Sequence, residues 1–276
     1  MFTAEITEEI TFSGGTLFGL FLSGAFSAVL PIALMICWRR RTHASLFPVL
    51  VGFLTYFFVS WIRAGFRAVL FTDELKQTAW AFYLVSALLS GVLEESGRYT
   101  SMRFIMKDDY DDWRDAVSYG IGHGGCELIW GSASQAFGFF LRGLECNRLG
   151  AAALIKADTI EGSAKKLEDL QRLSEHGAWE TVGAIGNALC GAAFHIAMSV
   201  LVLAAVHYIG QKKYLFIAMG LHTAGNFLVW AISVVPALAV LCIVPDPGIF
   251  VTVPICLYVR FVYRRLTKEQ QPWLQE

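Results

Sequence analysis

Charge is what this sequence has least of. Only 16% of its 276 residues are Asp, Glu, Lys or Arg, against about 25% in a soluble domain, and the deficit is too large for a water-facing surface. Close-spaced cysteine pairs are missing as well. Cys37, Cys126, Cys146, Cys190, Cys242 and Cys256 form no CxxC, and five of them lie in apolar runs. That excludes a zinc knuckle or a disulfide framework and makes them small buried hydrophobes. A net charge of −1 leaves no basic excess for a nucleic-acid partner. The stretch Met1 to Ile10 has no basic n-region of the signal-peptide kind, so the first apolar run is expected to stay as a true span. No internal repeat is visible, which weakens an inverted-repeat transporter.

What is present is apolar. Hydrophobic residues make up 55% of the chain and aromatic residues 14%, with 21 Phe and 8 Trp, and the mean hydropathy is +0.52. These values define an all-α, polytopic membrane protein in contact with the lipid bilayer. A hydrocarbon core of about 30 Å needs roughly 20 apolar residues per helix. On that measure the chain holds about seven spans, near 16–38, 45–70, 78–104, 113–141, 179–207, 213–233 and 237–262. Span two is interrupted by Arg63 and Arg67, and Pro245, Pro247 and Gly248 predict a break in span seven. Residues 1–276 are read as one integral membrane domain, with a polar insertion at 142–178 between spans four and five. Within it Leu149 to Ile155 and Ala164 to Leu173 predict a short helix pair, either a surface connection or a lid facing the substrate.

Basic residues at span ends set orientation. Arg39, Arg40 and Arg41 follow span one, Arg103 and Lys107 follow span three, Lys212 and Lys213 follow span five, and Arg264 and Arg265 follow span seven. All fall on one side if the N-terminus is outside and the C-terminus cytoplasmic, in the cell membrane. The insertion dissents, since it would be external yet carries six Lys/Arg beside six Asp/Glu.

Ionisable residues inside spans cost about 2.5–3.5 kcal/mol each on insertion scales, so each needs a reason. Span three carries Glu94, Glu95 and Arg98 in EESGR. Span four carries His123 and Glu127 in GIGHGGCE, span five His195 in AFHIA, and span six His222 and Asn226 in HTAGN. At a rise of 1.5 Å per residue, Glu94, His123, His195 and His222 all lie roughly 14–18 Å from the proposed cytoplasmic face. Polar residues that merely aid packing have no reason to share a level, so the coincidence argues for one site.

Spacing adds roles. Glu95 and Arg98 share a helix face and can pair, which makes Arg98 a structural partner. Glu94 points about 100° away and can face a cavity. His123 with Glu127, and His222 with Asn226, each project from one face; Glu127 is a ligand, an orienter of His123 or a hydrogen-bond anchor. The glycines flanking His123 permit close helix approach. Three imidazoles, His123, His195 and His222, can hold a zinc ion with an open water position, Glu94 acting as base. The metal-free alternative has a buried glutamate activating water while His and Asn stabilise the oxyanion. His43, His176 and His207 receive no role, and Asp73, Glu74 and Lys76 read as a solvated external turn.

Taken together, EESGR, Tyr119-xxx-His123, His195 and His222-xxx-Asn226 resemble the superfamily of CAAX-type prenyl-protein endopeptidases and bacteriocin-processing enzymes. Within it EESGR with GIGHGGCE looks most like the YhfC family of intramembrane proteases, over roughly residues 15–265. The superfamily also takes in PrsW-type proteases and, distantly, the non-proteolytic anterior-pharynx-defective subunit of γ-secretase. The resemblance implies a CAAX-protease-like core. It also implies a water-activating Glu94 or Glu95 supported by Arg98, a second-motif His123, a final His222/Asn226 element, and an additional His195. Two departures stand out: the arginine is one residue closer than in EExxxR, and Tyr119 replaces a phenylalanine. The implied function is intramembrane hydrolysis of a membrane-associated peptide or protein, with zinc or without a cofactor. A non-catalytic scaffold and a proton- or metal-coupled transporter are the competing classes.

Overall fold

A computed structural model describes residues 10–107, 113–155, 160–208, 211–235, 238, 241 and 244–270. Among these residues every regular element is helical. The long helices are α1 (Gly14–Thr42), α2 (Phe47–Leu70), α4 (Ala79–Thr100), α5 (Trp113–Glu127), α6 (Ser134–Leu149), α9 (Ala178–His207), α10 (Lys213–Val234) and α11 (Ile249–Gln270). Shorter pieces are α3 (Asp73–Gln77), α7 (Ala151–Leu154) and α8 (Ile160–Ser174). Wider π turns continue α4 over Ser101–Ile105 and join α5 to α6 over Leu128–Ala133. The Asp73 turn is thus one exposed helical turn, with Lys76 on Asp73 at 2.9 Å.

Length and composition suffice for four of these helices to cross a membrane: α1, α2, α9 and α10. Large apolar side chains on the outside of the bundle stay bare, among them Phe58 at 60%, Trp61 at 62% and Phe216 at 68% exposed. Such a surface suits lipid and not water. The break expected in span seven is present. Helix α11 starts only after Pro245, Pro247 and Gly248, where the Gly248 amide donates to Asp246 Oδ1 at 3.0 Å. Cys242 and part of that span's first third lie outside the described residues.

Two ends of the bundle differ in chemistry. At one, Trp38 of α1 packs edge-on to Trp113 of α5, and Trp113 meets Tyr263 of α11. This end gathers Arg39, Arg40 and Arg41, the start of α10 at Lys213, and Arg264 and Arg265. At the other end the polar insertion folds back on the start of α1. The Asn147 side chain holds both the amide and carbonyl of Phe12, at 2.7 and 2.8 Å, and Thr16 donates to the Ser174 carbonyl at 3.2 Å. Leu170 of the amphipathic α8 closes a small core with Ile10, Phe12, Leu20, Cys146 and Ile155. Residues 142–149 of the expected insertion instead continue α6; α7, of four residues, and α8 follow, and α8 packs over the start of α1 as a cap.

The site helices meet through glycine. A Cβ on Gly122 would lie 1.9 Å from the Val49 carbonyl oxygen, and one on Gly52 2.2 Å from that of Tyr119. Helices α2 and α5 are thus in backbone contact over the turn from Tyr119 to His123. A Cβ on Gly91 would lie 2.8 Å from the Met219 carbonyl, which brings α4 against α10 one turn before the glutamates. Removing side chains at these points is what lets short carboxylates and imidazoles reach one another.

Candidate active site

Six of the eight residues singled out by sequence, Glu94, Glu95, Arg98, His123, His195 and His222, converge in the bundle centre, none more than 4% exposed. Ring centroids of His123 and His195 are 5.0 Å apart, and those of His195 and His222 5.7 Å. Helices α4, α5, α9 and α10 do bring these groups to one level.

Glu95 is fully engaged. Arg98 Nη1 donates to both of its oxygens at 3.0 and 2.9 Å, and His222 Nδ1 lies 2.7 Å from Oε1. A carboxylate only accepts, so His222 donates from Nδ1 and keeps its lone pair on Nε2. Glu94 is held differently. Arg63 of α2 donates to its Oε1 and, at 2.9 Å, to Ser90 Oγ. Its other oxygen faces two imidazoles, His123 Nε2 at 3.3 Å and His222 Nε2 at 3.8 Å. Arg63 was visible in the sequence only as an interruption of span two. The signal that could have found it is charge counting, because two buried carboxylates beside one arginine need a second cation.

His195 has a defined tautomer. Arg98 Nη2 sits 3.2 Å from Nδ1, and a guanidinium can only donate, so Nδ1 accepts and Nε2 carries the proton. That proton goes to Glu127, whose carboxylate contacts Nε2 directly. Glu127 thus pairs with His195 and not with His123, its neighbour one turn away. His123 is packed edge-on by Tyr56 and stacked by Tyr119. Its Nδ1 is buried with no hydrogen-bond partner.

Asn226 stands apart from the cluster. It lies with Glu127 and His195 on the wall of a cavity of about 260 Å³ between α5, α9, α10 and the start of α11. The Glu127 side chain is 38% exposed there. A π turn begins at the next residue, a backbone feature often found where a site re-aims a side chain.

Could the cluster hold a metal? Glu94, His123 and His195 each offer a ligand atom, all within 4.8 Å of one another. The orphaned His123 Nδ1 and the lone pair on His222 Nε2, backed by Glu95, fit the same chemistry. The donor set differs from three histidines: a carboxylate stands in the closest group, and His222 sits beside it. The residues fit a divalent cation in type and spacing.

Fold and site together define a helical membrane protein with a buried glutamate–histidine centre. The family model described as YhfC intramembrane metalloprotease matches residues 26–241, and the chain belongs to that family. It is similar to a protein of Bacillus subtilis (strain 168) titled "Uncharacterized membrane protein YhfC", at 37% identity over 116 residues. The match takes in 40% of this chain and 45% of that relative. No solved structure matches.

Proposed function

We propose that the protein is an intramembrane endopeptidase that hydrolyses a peptide bond of a membrane-embedded or membrane-associated polypeptide. The single observation that supports this most is the asymmetry of the two glutamates. Glu95 has both oxygens occupied, whereas Glu94 keeps one oxygen facing two imidazoles in a buried space. Glu94 is therefore the water-activating carboxylate, and Glu95 is the anchor of His222. Arg63 keeps Glu94 ionised and aimed; Glu127 and Arg98 fix the ring of His195.

His123 would hold a zinc ion together with His222 Nε2, and His195 would join them only by releasing Arg98 from its Nδ1. Bound there, the ion would supply an acidified water and a polarised carbonyl. Glu94 Oε2, 3.8 Å from His222 Nε2, would stand beside that water as its proton acceptor. Asn226 lies on the cavity wall, one turn along α10 from His222 and outside the buried cluster.

The test compares membranes from cells carrying wild-type protein or Glu94→Gln, by mass spectrometry of newly formed peptide termini. Termini present with wild type and reduced about 10²-fold or more in the variant are expected for loss of a catalytic acid–base group. Identical termini in both would overturn the reading. Elemental analysis of the purified protein, beside His123→Ala and His222→Ala, then separates the zinc form from the metal-free form.

A further inference from the structure

The cavity beside the cluster contains polar groups that the catalytic reading leaves unused. Asn187 of α9 and Ser132 of the π turn line it with Asn226. Both asparagines are exposed to it. No hydrogen bond fixes the side chains of Asn187, Asn226 or Ser132 among the described residues, although they sit within membrane-spanning helices. Unsatisfied amides at that depth are costly, and they are tolerated where they face water or a ligand.

Their spacing is informative. Asn187 is eight positions before His195, about 12 Å along α9, and Asn226 four positions after His222, about 6 Å along α10. The two helices run in opposite directions and their histidines are level, so both asparagines lie on the same side of the cluster, toward the capped end. Their offset is about 6 Å. That is close to two residues of extended chain, at roughly 3.3 Å each. Residues i and i+2 of a strand turn their backbone N–H and C=O groups to the same side, so two amides at this offset match two successive backbone rungs.

The walls restrict what can enter. Gly191, Gly225 and Gly248 supply no side chain, while Phe194, Val229 and Val251 close the sides. At about 260 Å³ the space is below the range of roughly 300–1,000 Å³ that takes drug-sized ligands. A helix, some 10 Å across, does not fit.

We propose that this cavity binds the substrate as an unwound, extended segment of small residues, with Asn187 and Asn226 hydrogen-bonding alternate backbone positions and leading the chain to Glu94 and His195. The proposal rests on the endopeptidase reading and adds the substrate's conformation and side-chain class. The enzyme therefore cuts where a membrane-embedded chain unwinds readily, at Gly-, Ala- or Ser-rich stretches, and rejects bulky residues on that side of the scissile bond.

Gly191 makes the proposal testable without unfolding the protein, because nothing lies within 4 Å of a Cβ built there. The probe is an Ala-Gly-Ala-Gly peptide amide whose N-terminal acyl cap carries a small alkyl diazirine, photocrosslinked to the full chain in detergent. Wild type and Glu94→Gln should crosslink at cavity-lining residues with equal half-maximal concentrations. Gly191→Leu should abolish the crosslink with an unchanged melting temperature. Asn187→Ala should weaken it about 3- to 10-fold, the range for one lost hydrogen bond, and Asn187→Ser should recover part. With a reporter carrying a cleavage site from the terminal profiling, Asn187→Ala should raise KM and leave kcat nearly unchanged. Absence of crosslinking, crosslinks outside the cavity, or equal crosslinking by Gly191→Leu and wild type would overturn the proposal. Glu94-dependent termini without cavity binding would leave the endopeptidase standing and remove this site. Cavity binding without such termini would remove the endopeptidase and leave a peptide-binding site.

Discussion

Glu94 and Glu95 are adjacent in sequence, yet they have different partners. Each has its own arginine: Arg98 from the same helix for Glu95, Arg63 from α2 for Glu94. Removing one member of such a pair leaves an uncompensated buried charge, which costs about 3–5 kcal/mol. Arg63→Met should therefore lower the melting temperature in detergent strongly. The double variant Arg63→Met/Glu94→Gln should regain most of that loss, because the charge that needed a partner is gone. A single variant that melts like wild type would show that Glu94 is not ionised in the folded protein. The Glu95–Arg98 pair was legible from a three-residue spacing, since i and i+3 share a helix face whatever the tertiary fold. The Arg63–Glu94 pair joins two helices, and no local period reveals it. The same limit explains why spacing pointed Glu127 at His123, one turn away, while packing gives it to His195.

At the level of the element, backbone contact between α2 and α5 holds His123 in place. Gly122 is in the way of any side chain, with Val49 carbonyl 1.9 Å from an ideal Cβ. Gly122→Ala should push the two helices apart, move His123 from Glu94, and cost several kcal/mol as an overpacked core does. Gly138 on α6 is the control, for nothing lies within 4 Å of its Cβ. Gly138→Ala should be neutral or slightly stabilising, because alanine is favoured over glycine in a helix by about 1 kcal/mol. Fluorescence-detected gel filtration after heating would compare the two, and equal survival would refute the close-packing account. Glycines around His123 announced this seam in the sequence, and the run Pro245–Asp246–Pro247–Gly248 announced the late start of α11. The π turn after Glu127 had no such signal. It adds one residue per turn without changing composition, so hydropathy reads straight through from α5 into α6.

Across the whole molecule, the two ends of the bundle differ in chemistry, and that difference predicts an orientation. Among the described residues, composition passes four helices as spans, and the reason lies in the residues that the other segments carry. Helix α4 holds Glu94, Glu95 and Arg98, α11 holds Arg260, Arg264 and Arg265, and the regular α part of α5 has 15 residues before the π turn. Their charge and interruption lower apparent hydropathy without shortening the path across the bilayer. If these three also span, the number is odd and the termini are expected on opposite faces. Basic residues concentrated at the Trp38–Trp113–Tyr263 end predict a cytoplasmic position for that end and an outside position for the capped end. The six Lys/Arg of the 142–178 insertion oppose this assignment by number. Of these, Arg142 and Arg148 lie on the last turns of α6 and Lys165, Lys166 and Arg172 on α8, whose Leu170 packs in a small core of its own, with Asn147 bound to Phe12. A cysteine introduced at exposed Glu168 of α8 should then react with a membrane-impermeant maleimide in intact cells, while Cys37 near the basic end should react only after permeabilisation. The reverse pattern would invert the topology. It would also move the Asn187 side of the proposed cavity to the cytoplasmic leaflet, so the labelling result fixes on which side of the cluster, relative to the membrane, an unwound substrate would meet Asn187.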